Sequence, residues 1–302
     1  MRLNPKRKRH SMRILFAGLG VMGAPMASHL LKAGFEVVGY NRSPAKAEAW
    51  AQASGAACSA DFEAMVETAD VLVLCVGRDG DVRDLVTRAL PRLKAGALII
   101  DHTTTSARLA QELAVLSREK GLHFADAPVS GGQAGAENGQ LSIMVGSEAA
   151  QFERIVELTK PYTKSIIRIG EAGAGQMAKM ANQIAIAGAI QGVAEALHFT
   201  KSAGLAPDLV FQAISAGAAG SWQMSNRWAS MAEDKYDFGF AVDWMRKDLG
   251  IALDEARSNG AHLAVAALVD QFYSEVQAMG GARWDTSSLH ARLEARRSKP
   301  EG

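Results

Sequence analysis

The sequence has few cysteines, few aromatic residues and almost no excess of charge. Its two cysteines among 302 residues, Cys58 and Cys75, indicate a reducing compartment, taken as the cytoplasm, and argue against a zinc site. Lys and Arg number 33 against 32 Asp and Glu, so no global field favours nucleic acid or an acidic membrane surface. No apolar run reaches the roughly 20 residues that span a bilayer. We therefore expect no metal, no nucleic-acid partner and no membrane span.

A basic run, KRKR at residues 6–9, precedes an apolar stretch and superficially copies a signal peptide. We reject that interpretation because the apolar stretch contains a complete glycine motif that the fold would need. Residues 1–11 are interpreted as a solvated, disordered tail. A nuclear-targeting segment is the alternative, and Met12 could equally be the true start.

Apolar strands and helical patterns alternate through the first half of the chain. Strands are predicted over residues 13–18, 36–40, 71–76, 98–101, 123–126 and 141–145, with helices between most of them. Residues 128–140, PVSGGQAGAENGQ, are predicted to be irregular. The alternation predicts an α/β fold with a Rossmann-type doubly wound parallel sheet.

The character of the sequence changes near Gly170. A helix without proline is predicted over residues 176–203, and only helical patterns follow it, at 208–216, 222–231, 241–258 and 263–279. Trp222 and Trp244 are interpreted as core residues. We predict a dinucleotide-binding domain over 12–175 and an all-helical C-terminal domain over 176–302 for substrate binding and dimerisation. The apolar face of the long helix predicts a homodimer or a higher homo-oligomer.

A glycine-rich turn, GLGVMG, joins the first strand to the first helix. In its G-x-G-x-x-G pattern, Gly18 makes the tight turn, Gly20 lets the backbone approach a pyrophosphate, and Gly23 lets the helix pack on the strand. The N–H groups that open the helix would face the phosphates. An ordinary glycine-rich turn is the alternative. The motif predicts a dinucleotide site formed by Gly18, Leu19, Gly20, Val21, Met22 and Gly23.

The second strand ends without the acidic residue that reads the ribose of NAD. Asn41, Arg42 and Ser43 stand there instead. Arg42 can pair with a 2′-phosphate, and Asn41 and Ser43 can hydrogen-bond to it. The alternative is a plain surface arginine that opens a helix. We predict that the cofactor is NADP(H), with NAD(H) as the second choice.

The block GAGQMAKMANQ opens the long helix. Lys179, Asn182 and Gln183 share one face of that helix because they are three and four residues apart. A lysine can act as a general acid if burial lowers its pKa toward neutrality. A solvated lysine is the ordinary alternative.

Four blocks together resemble one enzyme family. They are GLGVMGAPMASHLLKAG, DAPVSGGQAGAENGQLSIMVG, GAGQMAKMANQ and MRKDLGIALDEA. The chain resembles the β-hydroxyacid dehydrogenase family, the 3-hydroxyisobutyrate dehydrogenase-like proteins, from Met12 to about Leu289. The second and third blocks in this order are specific to that family.

The resemblance implies hydride transfer between a nicotinamide cofactor and a small carboxylate-bearing aldehyde, keto acid or hydroxy acid. It implies that Lys179 is the catalytic acid/base. The substrate would contact Ser130, Gly131, Gly132, Asn182 and Lys247, and the cofactor would contact Cys75, Val76, Thr104 and Lys247. Lys247 would also help lower the pKa of Lys179 by like-charge repulsion.

Several of these positions have plainer explanations. Residues 130–132 could form an ordinary loop, Thr104 could cap the helix near Ala107, and Lys247 could pair with Asp243 one turn earlier. Gln133 leaves recognition of the substrate side chain open.

Two rival functions remain at this point. An imine reductase would share the architecture, but Lys179 argues against it. A non-catalytic dinucleotide-binding module would suit the basic tail, but Lys179, Asn182 and Lys247 together argue against it.

Overall fold

The computed structural model describes residues 12–297. The chain divides into two compact units, and the division falls inside one long helix, between Lys179 and Met180. The basic run at residues 6–9 and the predicted tail over 1–11 lie outside the described residues. Among the residues that are described, no helix is both long and apolar enough to cross a membrane.

The first unit consists of alternating strands and helices. Its strands are β1 (Arg13–Ala17), β2 (Glu36–Tyr40), β3 (Ala57–Cys58), β4 (Val71–Leu74), β5 (Leu98–Asp101), β6 (His123–Asp126), β7 (Val129–Ser130), β8 (Leu141–Ser147) and β9 (Thr163–Gly170). Its helices are α1 (Gly23–Lys32), α2 (Pro44–Ser54), α3 (Phe62–Thr68), α4 (Asp79–Ala89), α5 (Ala107–Glu119), α6 (Gly132–Glu137) and α7 (Phe152–Thr159), followed by the start of α8 (Ala174–Ser202).

The strands form one sheet that is mostly parallel. The order β3-β2-β1-β4-β5-β6 is parallel throughout, while β8 runs antiparallel to β6 and β7, and β9 pairs parallel with β8. The order reverses at β1, which is the signature of a doubly wound fold and of its ligand-binding edge. The predicted Rossmann-type fold is confirmed, with antiparallel pairing added at one side.

Helices cover both faces of this sheet. Ile14 and Phe16 of β1 pack into one apolar cluster with α1 and α2, whereas Leu15 and Ala17 pack into a second cluster with α3, α4 and α5. A strand that is buried on both faces has an almost continuous run of apolar residues. The strands RILFA, VLVL and LIID were therefore predictable from the sequence.

The prediction of an irregular segment over 128–140 is wrong. Val129 and Ser130 form β7, and residues Gly132–Glu137 form α6. Both elements are too short to produce a periodic pattern. The glycines of this segment are unfavourable in helices and strands, so local propensity predicts a loop.

The second unit is helical. After the rest of α8 it contains α9 (Pro207–Ile214), α10 (Trp222–Ala232), α11 (Val242–Asn259), α12 (Ala264–Ala278) and α13 (Leu289–Ala295). Trp228 and Tyr273 are buried in its core. The prediction of a core position for Trp222 is wrong, because its side chain is 58% exposed at the start of α10, with the guanidinium of Arg227 over its ring. Trp244 is partly buried.

Candidate functional site

The glycine-rich turn after β1 is closely packed at two of its three glycines. Gly18 has φ +102°, and a Cβ there would overlap the carbonyl oxygen of Cys75. A Cβ on Gly23 would overlap the carbonyl oxygen of Gly18, so α1 can approach β1 only with glycine at this position. A Cβ on Gly20, by contrast, would meet nothing within 4 Å. The backbone at Gly20 is therefore open to a bound group.

The start of α1 suits an anion. Its first turn contains no acidic residue, and Met22 at the N-cap makes no side-chain hydrogen bond to the helix. Val21 and Gly20 are exposed beside it. N–H groups at such a helix start can donate hydrogen bonds to a phosphate. The turn therefore fits the pyrophosphate of a dinucleotide.

Asn41 ties the turn after β2 to the glycine-rich turn. Its side-chain oxygen accepts a hydrogen bond from the N–H of Leu19 at 3.0 Å, and its amide donates to the carbonyl of Ser43 at 3.1 Å. Ser43 is the N-cap of α2 but makes no capping bond with its side chain. The sequence did not predict this fixing role for Asn41.

Arg42 is available to a ligand at the same turn. Its side chain is 87% exposed, and Nη1 donates to Oδ1 of Asp81 in the first turn of α4 at 2.8 Å. An exposed ion pair of this kind contributes little to stability, so Arg42 can exchange its partner at small cost. Asp81 was not identified from the sequence, because its link to Arg42 joins positions 39 residues apart.

The turns after β4 and β5 lie at the same edge of the sheet. Cys75 is partly buried against the first apolar cluster, and the N–H of Val76 donates to Oγ1 of Thr103 at 3.0 Å. Thr104 is partly buried between the buried Thr103 and Thr105. The alternative explanation of Thr104 as the cap of α5 is excluded because Ser106 caps that helix, accepting from the N–H of Leu109 at 3.2 Å.

Ser130, Gly131 and Gly132 form an ordered turn between β7 and α6. Ser130 pairs with Ser142 of β8, and the two glycines have φ values of +132° and +61°. Both glycines are exposed. Successive glycines in this region of backbone space can aim N–H groups at one anion. The alternative of an ordinary loop over residues 130–132 is therefore wrong, because Ser130 belongs to β7 and Gly132 begins α6.

Lys179 is buried, with 8% of its surface exposed, in the second turn of α8. This burial contradicts the alternative of a solvated lysine. Burial disfavours the charged form of a lysine, so a buried ammonium group gives up its proton more readily than a solvated one and can serve as a general acid.

The second unit brings Asn182 and Lys247 into one polar network. Nδ2 of Asn182 donates to Oε1 of Gln183 at 2.8 Å, and Nε2 of Gln183 donates to Oδ2 of Asp248 at 2.7 Å. Nζ of Lys247 lies 3.1 Å from Oδ1 of the buried Asp248. Asp243, the alternative partner of Lys247, accepts a hydrogen bond from Gln277 at 2.6 Å.

Two buried polar residues of the first unit were missed in the sequence. Asp126, which closes β6, and Gln176, which precedes Lys179 by three residues, are both fully shielded from solvent. Burial raises the pKa of Asp126 to about 6, against the lowering effect of backbone N–H groups that donate to it. Both residues lie within family-like blocks, but only the fold shows what they touch. Among residues 12–297 no group of three or more His, Cys, Asp or Glu side chains is arranged to hold a metal.

Comparison with known proteins matches both parts of the chain. Residues 13–170 match the NAD-binding domain of 6-phosphogluconate dehydrogenase, and residues 173–293 match the NAD-binding domain of NADP-dependent 3-hydroxyisobutyrate dehydrogenase.

Similar proteins extend over nearly the whole chain. An uncharacterized oxidoreductase of Shewanella frigidimarina is 54% identical over 95% of this chain and 99% of its own. The 2-hydroxy-3-oxopropionate reductase of Escherichia coli is 34% identical over 94% and 97%. The structure of Mycobacterium tuberculosis 3-hydroxyisobutyrate dehydrogenase with L-serine has a TM-score of 0.86 at 31% identity, covering 95% and 99%.

More distant structures share the fold alone. An imine reductase from Pseudomonas has a TM-score of 0.60 at 18% identity. The matching domains and the relatives above instead identify an NAD(P)-binding oxidoreductase that acts on CH–OH groups. The chain therefore belongs to the β-hydroxyacid dehydrogenase family of 3-hydroxyisobutyrate dehydrogenase-like enzymes.

Proposed function

We propose that this enzyme uses NADPH to reduce the carbonyl group of a small carboxylate-bearing aldehyde or keto acid, and oxidises the hydroxy acid in the reverse direction. The observation that carries the proposal is the burial of Lys179 in α8. A lysine is costly to bury, and a buried amine suits proton transfer to a carbonyl oxygen better than it suits structure.

The proton has a simple route in this proposal. A bound nicotinamide cofactor supplies the hydride for the carbonyl carbon. Nζ of Lys179 donates a proton to the carbonyl oxygen, which becomes the hydroxyl of the product. The neutral amine then takes up one proton from the solvent, so the reduction consumes one proton overall. In the oxidative direction the neutral amine accepts the hydroxyl proton.

The substrate carboxylate is assigned to Ser130, Gly131 and Gly132. The positive φ angles of the two glycines and their exposure support this assignment, since such backbone presents N–H groups to an anion. Asn182 and Lys247 are proposed to hold the substrate as well. Asp248 and Gln183 support these two side chains through the hydrogen bonds and the ion pair described above.

The cofactor is assigned to the turns at the carboxyl edge of the sheet. Residues 18–23 bind the pyrophosphate, and Cys75, Val76 and Thr104 line the dinucleotide. Lys247 is proposed as a further cofactor contact. Arg42 favours NADP(H) over NAD(H), because residues 41–43 contain no carboxylate and Arg42 offers an exposed guanidinium.

Three further assignments remain proposals. They are a boundary between a dinucleotide-binding domain and a helical domain near residue 175, a homodimer or higher homo-oligomer formed through the helical part, and a location in the cytoplasm. The exposed apolar side chains of Phe199, Leu209 and Val265 support the second of these.

A substrate panel tests the proposed reaction. Oxidation of NADPH and of NADH is followed with 2-hydroxy-3-oxopropionate, with methylmalonate and succinate semialdehydes, with glyoxylate, and with propanal as the neutral control. Loss of charge-assisted hydrogen bonds to a carboxylate should lower kcat/KM for propanal by about 10- to 150-fold. Equal turnover of propanal would contradict the carboxylate site. A simple ketone with an added amine completes the panel, and turnover of that mixture alone would indicate an imine reductase instead.

A further inference from the structure

The side chain of Gln176 connects α8 to the turn after β5. It is fully buried in the first turn of the helix. Its Oε1 accepts from the N–H of Thr105 at 3.0 Å, and its Nε2 donates to the carbonyl of Thr103 at 2.8 Å. One amide group thus holds both sides of the three-residue segment that contains Thr104.

The same segment is anchored to the neighbouring strand ends. Oγ1 of Thr103 accepts from Val76, and the N–H of Thr103 donates to Oδ1 of Asp101 at 2.9 Å. The loop held by Gln176 is therefore part of the cofactor-binding edge proposed above, and its backbone has little freedom of its own.

The start of α8 is fixed independently by Asp126. Its two carboxylate oxygens accept from the N–H groups of Gly173 at 2.7 Å and Gln176 at 2.8 Å. A Cβ on Gly175 would lie 2.8 Å from the carbonyl oxygen of Asp126, so the helix approaches β6 as closely as its backbone allows. Asp126 thus sets where the helix begins, and Gln176 connects its first turn to the loop around Thr104.

We propose that Gln176 is a positioning residue for Lys179. The inference rests on the proposed function, in which Lys179 donates the proton. Residues three apart lie on one face of a helix, so a displacement at Gln176 is carried directly to Lys179. Gln176 fixes the distance between the proton donor and the turn that carries Thr104 on the nicotinamide side. A misplacement of about 1 Å can lower a rate by about 100-fold.

The position requires an amide in particular. Its two partners are one N–H and one carbonyl, and an amide offers one acceptor and donors in the matching geometry. A carboxylate can accept from Thr105 but cannot donate to Thr103. A methionine of similar length loses both bonds and leaves two buried backbone groups unsatisfied.

The test compares Gln176→Met and Gln176→Glu with Gln191→Met. Gln191 is another buried glutamine of α8, and its amide donates to Glu195 within the same helix at 2.6 Å. Each variant is assayed for kcat and KM with the best acid substrate, for NADPH binding by fluorescence, and for the deuterium isotope effect with 4-deuterated NADPH. Circular dichroism reports whether each variant is folded.

We expect kcat of Gln176→Met to fall by about 10- to 100-fold, with NADPH binding changed less than about threefold and a larger isotope effect. Gln191→Met should keep kcat within about threefold of the wild type. The Gln176→Glu variant adds a readout that does not depend on Gln176→Met being folded. Its activity relative to wild type should recover as the pH is lowered from 8 to 6, since a buried carboxyl that takes up a proton can again donate to Thr103.

The proposal is overturned if Gln176→Met retains the kcat of Gln191→Met, or if Gln176→Glu is impaired to the same extent relative to wild type at every pH from 6 to 8. Failure of the proposed function looks different. In that case the wild type and Gln191→Met would also be inactive on every acid substrate.

Discussion

Replacing Arg42 with aspartate should reverse the preference for NADPH. Arg42 is the only cation among the three residues that follow β2, and its side chain is 87% exposed. Loss of a charge-assisted contact with a 2′-phosphate costs about 1.5 to 3 kcal/mol, or about 10- to 150-fold in binding. The aspartate can also accept a hydrogen bond from the 2′-hydroxyl of NADH, so NADH binding should improve.

Asp81 competes with the 2′-phosphate for Arg42 and so weakens the binding of NADPH. It must release Arg42 before a phosphate can bind, and an exposed ion pair is worth about 0.2 to 1 kcal/mol. Asp81→Asn should therefore raise the affinity for NADPH by up to about fivefold and leave the affinity for NADH unchanged. Arg42→Asp should therefore lower the affinity for NADPH, and Asp81→Asn should raise it. A general loss of folding would lower the affinity in both variants.

The assay measures kcat/KM for both cofactors at two salt concentrations, with Arg83→Asp as the control. Arg83 lies on α4 and pairs with Glu112, so the control makes the same change of charge on an exposed arginine. The ratio of NADPH to NADH should fall in Arg42→Asp, rise in Asp81→Asn and stay constant in Arg83→Asp. A wild type that already prefers NADH, or a ratio unaffected by Arg42→Asp, would refute the reasoning.

Three other predictions concern the fold and assembly. Gly20→Ala should keep the melting temperature and weaken NADPH binding, whereas Gly18→Ala should destabilise the protein, since Gly18, unlike Gly20, lacks room for a Cβ. Equal melting temperatures of the two variants would contradict this. Burial lowers the pKa of His102 to about 4, so the unfolded state takes up a proton near pH 6.5 while the folded state does not. The free energy of unfolding should therefore fall as pH is lowered from 7 to 4, by about 3 kcal/mol at most from this group. In urea titrations of His102→Gln, the free energy of unfolding should depend less steeply on pH than in the wild type. An unchanged pH dependence would exclude His102 as the cause. Light scattering at micromolar concentration should report a dimer or larger species, and a clean monomer would end the proposal of an oligomer.

The parts predicted well from the sequence depend on neighbours along the chain. The strands β1, β4 and β5 are apolar runs buried on both faces, and the turn at residues 18–23 follows a local rule of glycine spacing. The long helix α8 is recognisable because no proline interrupts it. Such features need no knowledge of tertiary contacts.

The parts that were missed depend on distant partners. The strand β9 lies at the side of the sheet and exposes Ile167 and Ile169, so its sequence lacks the buried alternation that marks a strand. Trp222 was interpreted as a core residue, but it opens α10 with its side chain largely exposed. The role of Gln176 depends on Thr103 and Thr105, more than 70 residues earlier in the chain.

The burial of Lys179 could not be predicted either. The sequence identified the residue through its block and its resemblance to a family, while most helical lysines are solvated. Only the structure shows that its side chain is 8% exposed.

The central claim is that Lys179 transfers the proton, and Lys179→Ala tests it most directly. The variant is compared with Lys201→Ala, a lysine near the other end of the same helix, and with Lys179→Arg, in which the guanidinium stays protonated and cannot cycle. We predict that kcat with the best acid substrate falls by about 10²- to 10⁴-fold in both Lys179 variants. NADPH binding, measured by fluorescence on the same samples, should stay within about threefold of the wild type, because the glycine-rich turn and Arg42 are untouched. A folded Lys179→Ala variant that retained most of the kcat seen for Lys201→Ala would remove Lys179 from the mechanism and contradict the account.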